Sequence, residues 1–253
     1  MKLHYKKLGQ GQPVLILHGL FGSSDNWNGI GKKLADYFEV YLIDLRNHGR
    51  SPHSDGFDYQ LMSDDLCEFV DDNFIEDAFV IGHSLGGKTA MTFALQHPDK
   101  VKRLIVVDIS PRASQTYLHQ ILQGLMSIDL GVVKSRKAAD KQLSLTIEDL
   151  TLRKFLLKNL YWKEQGVLNW RFNLEIINRE IKAVGEGIDN KKKFDNPTLF
   201  IRGGKSDYIL NSDSVMIKSI FPEAEIKTIS NAGHWLHAEA PVDFLNFVIK
   251  FLN

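Results

Sequence analysis

The chain has 253 residues, of which 43% are hydrophobic and 25% are charged. This is ordinary globular usage and excludes an intrinsically disordered, collagen-like or coiled-coil chain. Lys and Arg number 31, as do Asp and Glu, so no net charge attracts the whole chain to nucleic acid or to an anionic membrane. Cys67 is the only cysteine, which excludes an internal disulfide and fits a reducing compartment. Without a secretory signal or ~18 consecutive apolar residues, we expect a cytoplasmic protein with no membrane span.

Short apolar runs, each bounded by turn residues, predict the strands of the chain. They cover residues 14–17, 40–43, 78–81, 104–107 and 198–201. Because both faces of each run are apolar, the runs are typical of a parallel sheet covered by helices on both sides. Helical periodicity fills 62–74 and 88–97 between them. This alternation predicts an α/β fold with a mostly parallel, doubly wound sheet.

Residues 112–194 interrupt the alternation of strands and helices. The segment has no proline, and its periodicity looks helical, for example over 117–126, 146–159 and 169–184. Because so long a connecting loop would be exceptional, we expect an all-helical cap insertion that divides the core into 1–111 and 195–253. The segment has 15 Lys and Arg against 9 Asp and Glu, whereas the rest has 16 against 22. This asymmetry indicates either a solvated helical surface or a mild attraction for an anionic substrate.

The chemistry of the chain begins at Gly82-His-Ser-Leu-Gly86. This pattern follows a buried-type strand and precedes a helix, which is the arrangement of a nucleophile elbow. Ser84 would sit in a strained turn at a helix N-terminus, where the helix dipole favours developing negative charge. Small residues at Gly82 and Gly86 would let the strand and the helix approach each other. Ser84 is therefore the predicted nucleophile.

A tetrahedral intermediate also needs two preorganised hydrogen-bond donors for its oxyanion. One is the backbone N–H of the residue after the nucleophile, Leu85. The other is expected in the turn His18-Gly-Leu-Phe-Gly22, directly after the first buried strand. We expect Leu20 to supply it, with Phe21 as the alternative.

The general base is expected to be a histidine late in the chain, because the acid and the histidine follow the serine in this architecture. His234 is best placed, in a glycine-containing loop after the expected last strand at 225–229. Imidazole takes and returns a proton near neutral pH. His237 is assigned to packing or hydrogen bonding, and His18 and His48 to holding the loops around the pocket.

A carboxylate must fix the tautomer of the base and stabilise the imidazolium. Asp207 and Asp108 each follow a predicted strand at its carboxyl end, where open α/β sheets bind ligands. The sequence does not place either beside His234, so both remain candidates.

The sequence resembles the α/β-hydrolase superfamily, and most closely its YbfF-type esterase branch. The matching stretches are HGLFGSSDNW (18–27), DLRNHGRSP (44–52), GHSLGGKTAM (82–91), VVDISP (106–111), WRFN (170–173) and NAGHWLHAE (231–239). The resemblance implies an esterase or acyl-thioesterase with nucleophile Ser84, base His234 and a helical cap. In that branch the aspartate of the VVDISP-like motif is thought to serve as the acid, but this chain also has Asp207 beside Ser206. We favour Asp207, because it occupies nearly the position that most of the superfamily uses.

These residues predict a serine hydrolase that cleaves carboxylic esters through an acyl-enzyme on Ser84. Phe21 and the cap aromatics Trp162, Trp170 and Phe172 are expected to shape an apolar acyl pocket, although the cap aromatics would equally suit packing within the cap. We expect no metal and no organic cofactor. The partner is a small-molecule ester or thioester, with no nucleic acid and an open oligomeric state. The alternatives are an acyl-CoA thioesterase, a carbon–carbon hydrolase and a small-molecule receptor.

Overall fold

A seven-stranded sheet forms the centre of the computed structural model, which describes residues 1–113, 118–189 and 191–253. The strands are β1 (Tyr5–Leu8), β2 (Pro13–Leu17), β3 (Glu39–Ile43), β4 (Ala78–His83), β5 (Val101–Val107), β6 (Leu160–Glu164), β7 (Val167–Trp170), β8 (Thr198–Gly203) and β9 (Ala224–Ile229). The helices are α1 (Asn28–Leu34), α2 (Tyr59–Asp72), α3 (Leu85–Gln96), α4 (Leu118–Met126), α5 (Arg136–Leu143), α6 (Leu150–Leu157), α7 (Leu174–Arg179), α8 (Ile181–Gly185), α9 (Asp213–Ile220), α10 (Leu236–Glu239) and α11 (Pro241–Leu252).

The strand order in the central sheet is β1-β3-β2-β4-β5-β8-β9. Only the β1–β3 pair is antiparallel, and the other neighbouring strands of this sheet run parallel. The register pairs Leu17 with Gly82 and His83 with Val107. The loops after β2, β4 and β5 therefore leave the sheet side by side at one edge, the position where open α/β sheets bind ligands.

The two faces of the sheet pack into separate hydrophobic layers. In β2, Leu15 and Leu17 lie in the layer with α2 and α3, whereas Val14 and Ile16 lie in the layer with α1 and α11. This alternation follows from the two-residue period of a strand. It explains why each predicted strand is apolar on both faces, and it confirms the predicted mostly parallel, doubly wound sheet.

The segment 112–194 lies between β5 and β8, which are neighbours in the sheet. It contains α4 to α8. The prediction that it is all-helical is wrong, because β6 and β7 form an antiparallel hairpin. The hairpin turns at Gln165-Gly166, where Gly166 takes a positive φ of 80° that suits a tight hairpin turn. Leu168 and Trp170, two residues apart, are both buried. The single helix expected over 169–184 is therefore wrong: β7 occupies its first residues, and two short helices, α7 and α8, follow from Leu174.

The other predicted helices match in place and differ at their ends. Helix α2 begins at Tyr59 because the Asp58 carboxylate caps it, accepting a hydrogen bond from the Leu61 N–H at 2.7 Å. The pattern over 146–159 becomes the shorter α6, which Asp149 caps in the same way. Residue 117, the first of the pattern over 117–126, lies outside the described residues. In the described part of the chain, no helix combines the length and the apolar character that a bilayer crossing requires.

Candidate active site

Ser84 lies at the junction of β4 and α3 with φ 52° and ψ −115°. A non-glycine residue in this region is strained, and such strain concentrates at functional sites. Between Ala78 and Met91, Ser84 is the single residue that is not buried. The turn therefore projects one hydroxyl from an otherwise buried strand–helix unit.

Two glycines make this tight turn possible. A Cβ atom on Gly86 would lie 2.5 Å from the carbonyl oxygen of Leu17, and one on Gly82 would overlap the carbonyl of Gly86. Any side chain at either position would push α3 away from the sheet. The sequence-based requirement for small residues here is confirmed.

The turn after β2 lies against the nucleophile. A Cβ atom on Gly19 would be 3.3 Å from the Cβ atom of Ser84, and the turn closes with a hydrogen bond from the Gly22 N–H to the Gly19 carbonyl at 2.9 Å. The Phe21 N–H donates to His48 Nε2 at 3.1 Å and is thus already engaged. The Leu20 N–H has no acceptor among the described residues, and Leu85 begins α3, where N–H groups lack intrahelical acceptors. Both N–H groups therefore lack a hydrogen-bond acceptor within the part of the chain that the structure describes.

His234 is held by a buried carboxylate. Its Nδ1 donates to Asp108 Oδ2 at 2.8 Å, which leaves Nε2 as the nitrogen that can exchange protons. Asp108 is fully buried, whereas the His234 side chain keeps 19% exposure. The Tyr208 ring stacks on the imidazole with 4.0 Å between ring centroids, so both the tautomer and the plane of the imidazole are fixed.

The structure corrects the preference for Asp207 as the partner of His234. Asp207 is exposed, and its backbone carbonyl accepts from Arg112 Nη2 at 2.9 Å. Ser206 lies on the inner side of this loop and donates its hydroxyl to Asp108 Oδ2. The Gly203 N–H donates to Asp108 Oδ1 at 2.9 Å. Asp108 reaches inward because it adopts a φ of 50° directly after β5.

Two further histidines lie beside His234 and are neutral. His83 donates from Nε2 to the His234 carbonyl at 2.9 Å, and burial holds the pKa of its imidazole well below the ordinary value. His237 stacks on Trp27 with 4.1 Å between ring centroids, and burial lowers the pKa of its imidazole to about 3. His237 thus packs, as predicted.

His18 and His48 hold the surrounding loops, which confirms their predicted structural role. His18 Nε2 accepts from the Leu45 N–H at 3.0 Å, and His48 Nε2 accepts from the Phe21 N–H. Burial lowers the pKa of both, to about 3 for His48. They remain neutral near pH 7 and join the turn after β2 to the loop after β3.

Ser84 and His234 line one cavity, and its other described walls are largely apolar. Phe21 is among them, as predicted. The cap aromatics predicted beside it do not line this cavity: Trp162 is 53% exposed on β6, and Trp170 stacks on Phe172, which in turn packs against Phe21. The hairpin, which the sequence analysis missed, causes this difference. The segment 112–194 instead contributes Leu118, Ile121, Leu152 and Phe155.

The described residues contain no group of three or more His, Cys, Asp or Glu side chains that could hold a metal ion. The polar groups around Ser84 are instead arranged in a chain, from Asp108 to His234. This arrangement is suited to moving a proton at the serine hydroxyl.

Residues 12–241 match the family defined by the alpha/beta hydrolase fold, and the chain belongs to this superfamily. It is 38% identical over 247 residues to sn-1-specific diacylglycerol lipase ABHD11 of Mus musculus, covering 94% of this chain and 80% of that protein. It is 31% identical over 242 residues to esterase YbfF of Escherichia coli (strain K12), covering 95% of this chain and 93% of that protein.

Among solved structures, the chain is similar to a marine microorganism esterase, with a TM-score of 0.96 and 46% identity over 99% of both chains. Within the superfamily, the protein is a member of the YbfF-type esterase branch and a carboxylesterase-type hydrolase. The resemblance drawn from the sequence motifs is confirmed.

Proposed function

We propose that the protein hydrolyses small carboxylic esters through a covalent acyl-enzyme on Ser84, with His234 as general base and Asp108 as the orienting acid. One observation carries the proposal. Ser84 and His234 line the same cavity, and a buried carboxylate holds the far nitrogen of the imidazole at 2.8 Å. That arrangement suits a serine that must be activated at neutral pH.

In the acylation step, His234 Nε2 takes the Ser84 proton as Oγ bonds to the ester carbonyl carbon. The carbonyl oxygen becomes an oxyanion, and the Leu20 and Leu85 N–H groups donate to it. The C–O bond to the alcohol then breaks, and the proton on His234 passes to the departing oxygen. Asp108 stabilises the transient imidazolium.

In the deacylation step, a water molecule gives a proton to the same imidazole as it attacks the acyl carbon. The oxyanion forms again between the same two N–H groups. When the bond to Ser84 breaks, His234 returns the proton to the serine oxygen and the carboxylic acid leaves. Neither step calls for a metal ion or an organic cofactor.

The walls of the cavity indicate the class of substrate. Leu118, Ile121, Leu152 and Phe155 present apolar surface beside the nucleophile, and burial of an acyl chain against such surface contributes about 25 cal/mol per Å². These side chains come from α4 and α6, which supports a cap role for 112–194 between core parts 1–111 and 195–253. A cytoplasmic location remains our expectation from the single cysteine.

Substitution of the nucleophile tests this function. Ser84→Ala removes the attacking oxygen, so turnover of p-nitrophenyl esters should fall by at least ~10³-fold, while circular dichroism shows the fold unchanged. Ser219→Ala, an exposed serine on α9, is the matched control and should keep full activity. Wild-type turnover at the 1–10³ s⁻¹ of typical enzymes would also separate an esterase from a receptor. Retained turnover in Ser84→Ala would refute the proposal.

An acyl-CoA thioesterase using the same residues is a second candidate, favoured by the positive charge of 112–194. The phosphates of acyl-CoA would be drawn to this segment over a Debye length that falls from ~30 Å at 0.01 M salt to ~8 Å at 0.15 M. We therefore expect added salt to lower kcat/KM for acyl-CoA and leave that for neutral esters unchanged. Equal salt profiles for the two substrates would remove this candidate.

A further inference from the structure

Helix α6 presents two different faces. Leu152 and Phe155 line the cavity beside Ser84, whereas Leu150, Lys154 and Lys158, the residue after the helix, line a separate surface groove. At about 100° per residue, the groove positions lie within one narrow sector of the helix, and the cavity positions lie in another. A molecule in the groove is thus one helix away from the catalytic cavity.

The groove between α5 and α6 is strongly basic. Arg136, Lys137, Lys154 and Lys158 line it with a single carboxylate, Asp140. Asp140 is itself paired with Arg153 at 2.8 Å. In the described parts of the chain, the ammonium groups of Lys137, Lys154 and Lys158 have no carboxylate within 4.0 Å. The groove therefore carries an uncompensated positive charge.

Arg136 holds the walls of the groove together through hydrogen bonds to backbone carbonyls. Its guanidinium donates to the carbonyls of Leu157 at 3.3 Å and of Leu160 at 2.6 Å, so it joins the start of α5 to the end of α6 and to the hairpin. The groove is thus a preformed surface, and its lysines project from a framework that is already held together.

Exposed apolar side chains accompany these cations. Leu150 is 48% exposed at the groove, and Trp162 is 53% exposed on β6, two residues after Leu160, whose carbonyl accepts from Arg136. Lys134 Nζ donates to the Gly166 carbonyl at 3.0 Å, which holds the hairpin turn against the residues leading into α5. We call the surface formed by the groove and the hairpin the basic–apolar face.

We propose that the basic–apolar face docks onto an anionic lipid bilayer. Lysines beside an exposed tryptophan and leucine are the composition of a surface that lies in the headgroup region: the cations are attracted to anionic lipids, and the apolar side chains enter the acyl boundary. Tryptophan is favoured there because its ring is amphipathic. A soluble anion would need the lysines but would leave Leu150 and Trp162 in water. Docking would bring the outer side of α6 to a source of lipid esters.

Vesicle sedimentation tests the charge of this face. With the Ser84→Ala protein, we expect binding to phosphatidylcholine vesicles that contain phosphatidylglycerol and none to pure phosphatidylcholine. Lys154→Gln with Lys158→Gln should lower the partition coefficient at least tenfold. Lys191→Gln with Lys192→Gln makes the same change of charge on exposed residues that do not line the groove and should leave the partition coefficient unchanged. Equal loss in both pairs, or equal binding to both vesicles, would overturn the proposal.

A second arm tests the apolar contact. Trp162→Ser should weaken binding several-fold and remove the blue shift of tryptophan fluorescence that vesicles produce. Tyr37→Ser is the control, because Tyr37 is an aromatic residue that is 58% exposed and lies outside the segment 112–194. It should change neither quantity. An unchanged blue shift in Trp162→Ser would contradict the proposal. Because binding is measured without catalysis, and hydrolysis of a water-soluble ester needs no vesicle, failure of docking and failure of the proposed function are distinguishable.

Discussion

The buried carboxylate of Asp108 accepts hydrogen bonds from three groups of the site. Oδ2 accepts from His234 and from the Ser206 hydroxyl, and Oδ1 accepts from the Gly203 N–H. Hydrogen bonds to an ionised carboxylate are shorter and stronger than neutral ones. These three donors hold the carboxylate in the position from which Oδ2 orients the imidazole of His234.

Exchange of each candidate acid for its amide separates their roles. Asp108→Asn should lower kcat by up to ~10⁴-fold, because an amide can leave the histidine in the wrong tautomer. Asp207→Asn should change kcat less than twofold, because that side chain is exposed. Steady-state kinetics on a p-nitrophenyl ester measures both. A larger fall in Asp207→Asn would show that the contact between Asp108 and His234 does not orient the base.

From the sequence we named both aspartates as candidates and favoured Asp207, which is exposed in the structure. Each follows a strand, so spacing alone could not separate them. The deciding feature is backbone direction: Asp108 takes a positive φ, a conformation that is uncommon outside glycine and that the spacing of residues in the sequence does not predict. Ser206, which donates to Asp108, was missed as a site residue because a serine beside a favoured aspartate carries no separate signal.

At the scale of elements, helix α3 connects the nucleophile to the C-terminal part of the segment 112–194. Lys88, four residues after Ser84, is 1% exposed and donates to the Glu186 carbonyl just after α8. The Tyr59 hydroxyl of α2 donates to the neighbouring Val184 carbonyl at 2.7 Å. Burial and the nearby Arg112 lower the pKa of Lys88 from 10.5 to about 8.

The lowered pKa of Lys88 predicts how the free energy of unfolding depends on pH. Below pH 8, Lys88 is charged in both the folded and unfolded states, and the cost of its burial is fully present. Between pH 8 and 10.5 the folded state releases the proton first, so the free energy of unfolding should rise relative to Lys88→Met, by on the order of 3 kcal/mol. Urea unfolding across this range measures the difference.

The exposed residue Lys191 provides the control for this measurement. The free energy of unfolding of wild type relative to Lys191→Met should stay constant between pH 8 and 10.5. A constant difference for Lys88→Met as well would show that the buried ammonium does not titrate in this range.

The elements that the sequence analysis missed have weak local signals. Strand β1 alternates exposed and half-buried residues at the edge of the sheet, so it lacks the apolar run that marked the inner strands. The β6–β7 hairpin lies in a segment rich in Leu and Lys, both good helix formers. Its turn at Gln165-Gly166 is a weaker hairpin signal than Asn-Gly or Asp-Gly. In this stretch the hydrogen bonding between β6 and β7 outweighs the local preference for a helix.

At the scale of the whole molecule, the features that could be predicted are those that depend on burial. Inner strands of a parallel sheet are apolar on both faces, and a tight strand–helix turn needs glycine, so the sheet and the position of Ser84 follow from the sequence. The walls of the cavity could not be predicted in this way. Trp162, Trp170 and Phe172 and the observed Leu118, Ile121, Leu152 and Phe155 are all apolar, and only the packing of 112–194 on the core selects among them.

The central claim is that catalysis passes through an acyl-enzyme on Ser84, and mass spectrometry of the labelled protein tests it most directly. A fluorophosphonate should add once to the wild-type chain, and peptide mapping should place the adduct on Ser84. His234→Ala should be labelled far more slowly, because the base that activates the hydroxyl is absent. An adduct on any other residue, or hydrolysis that continues after Ser84 is fully labelled, would contradict the account.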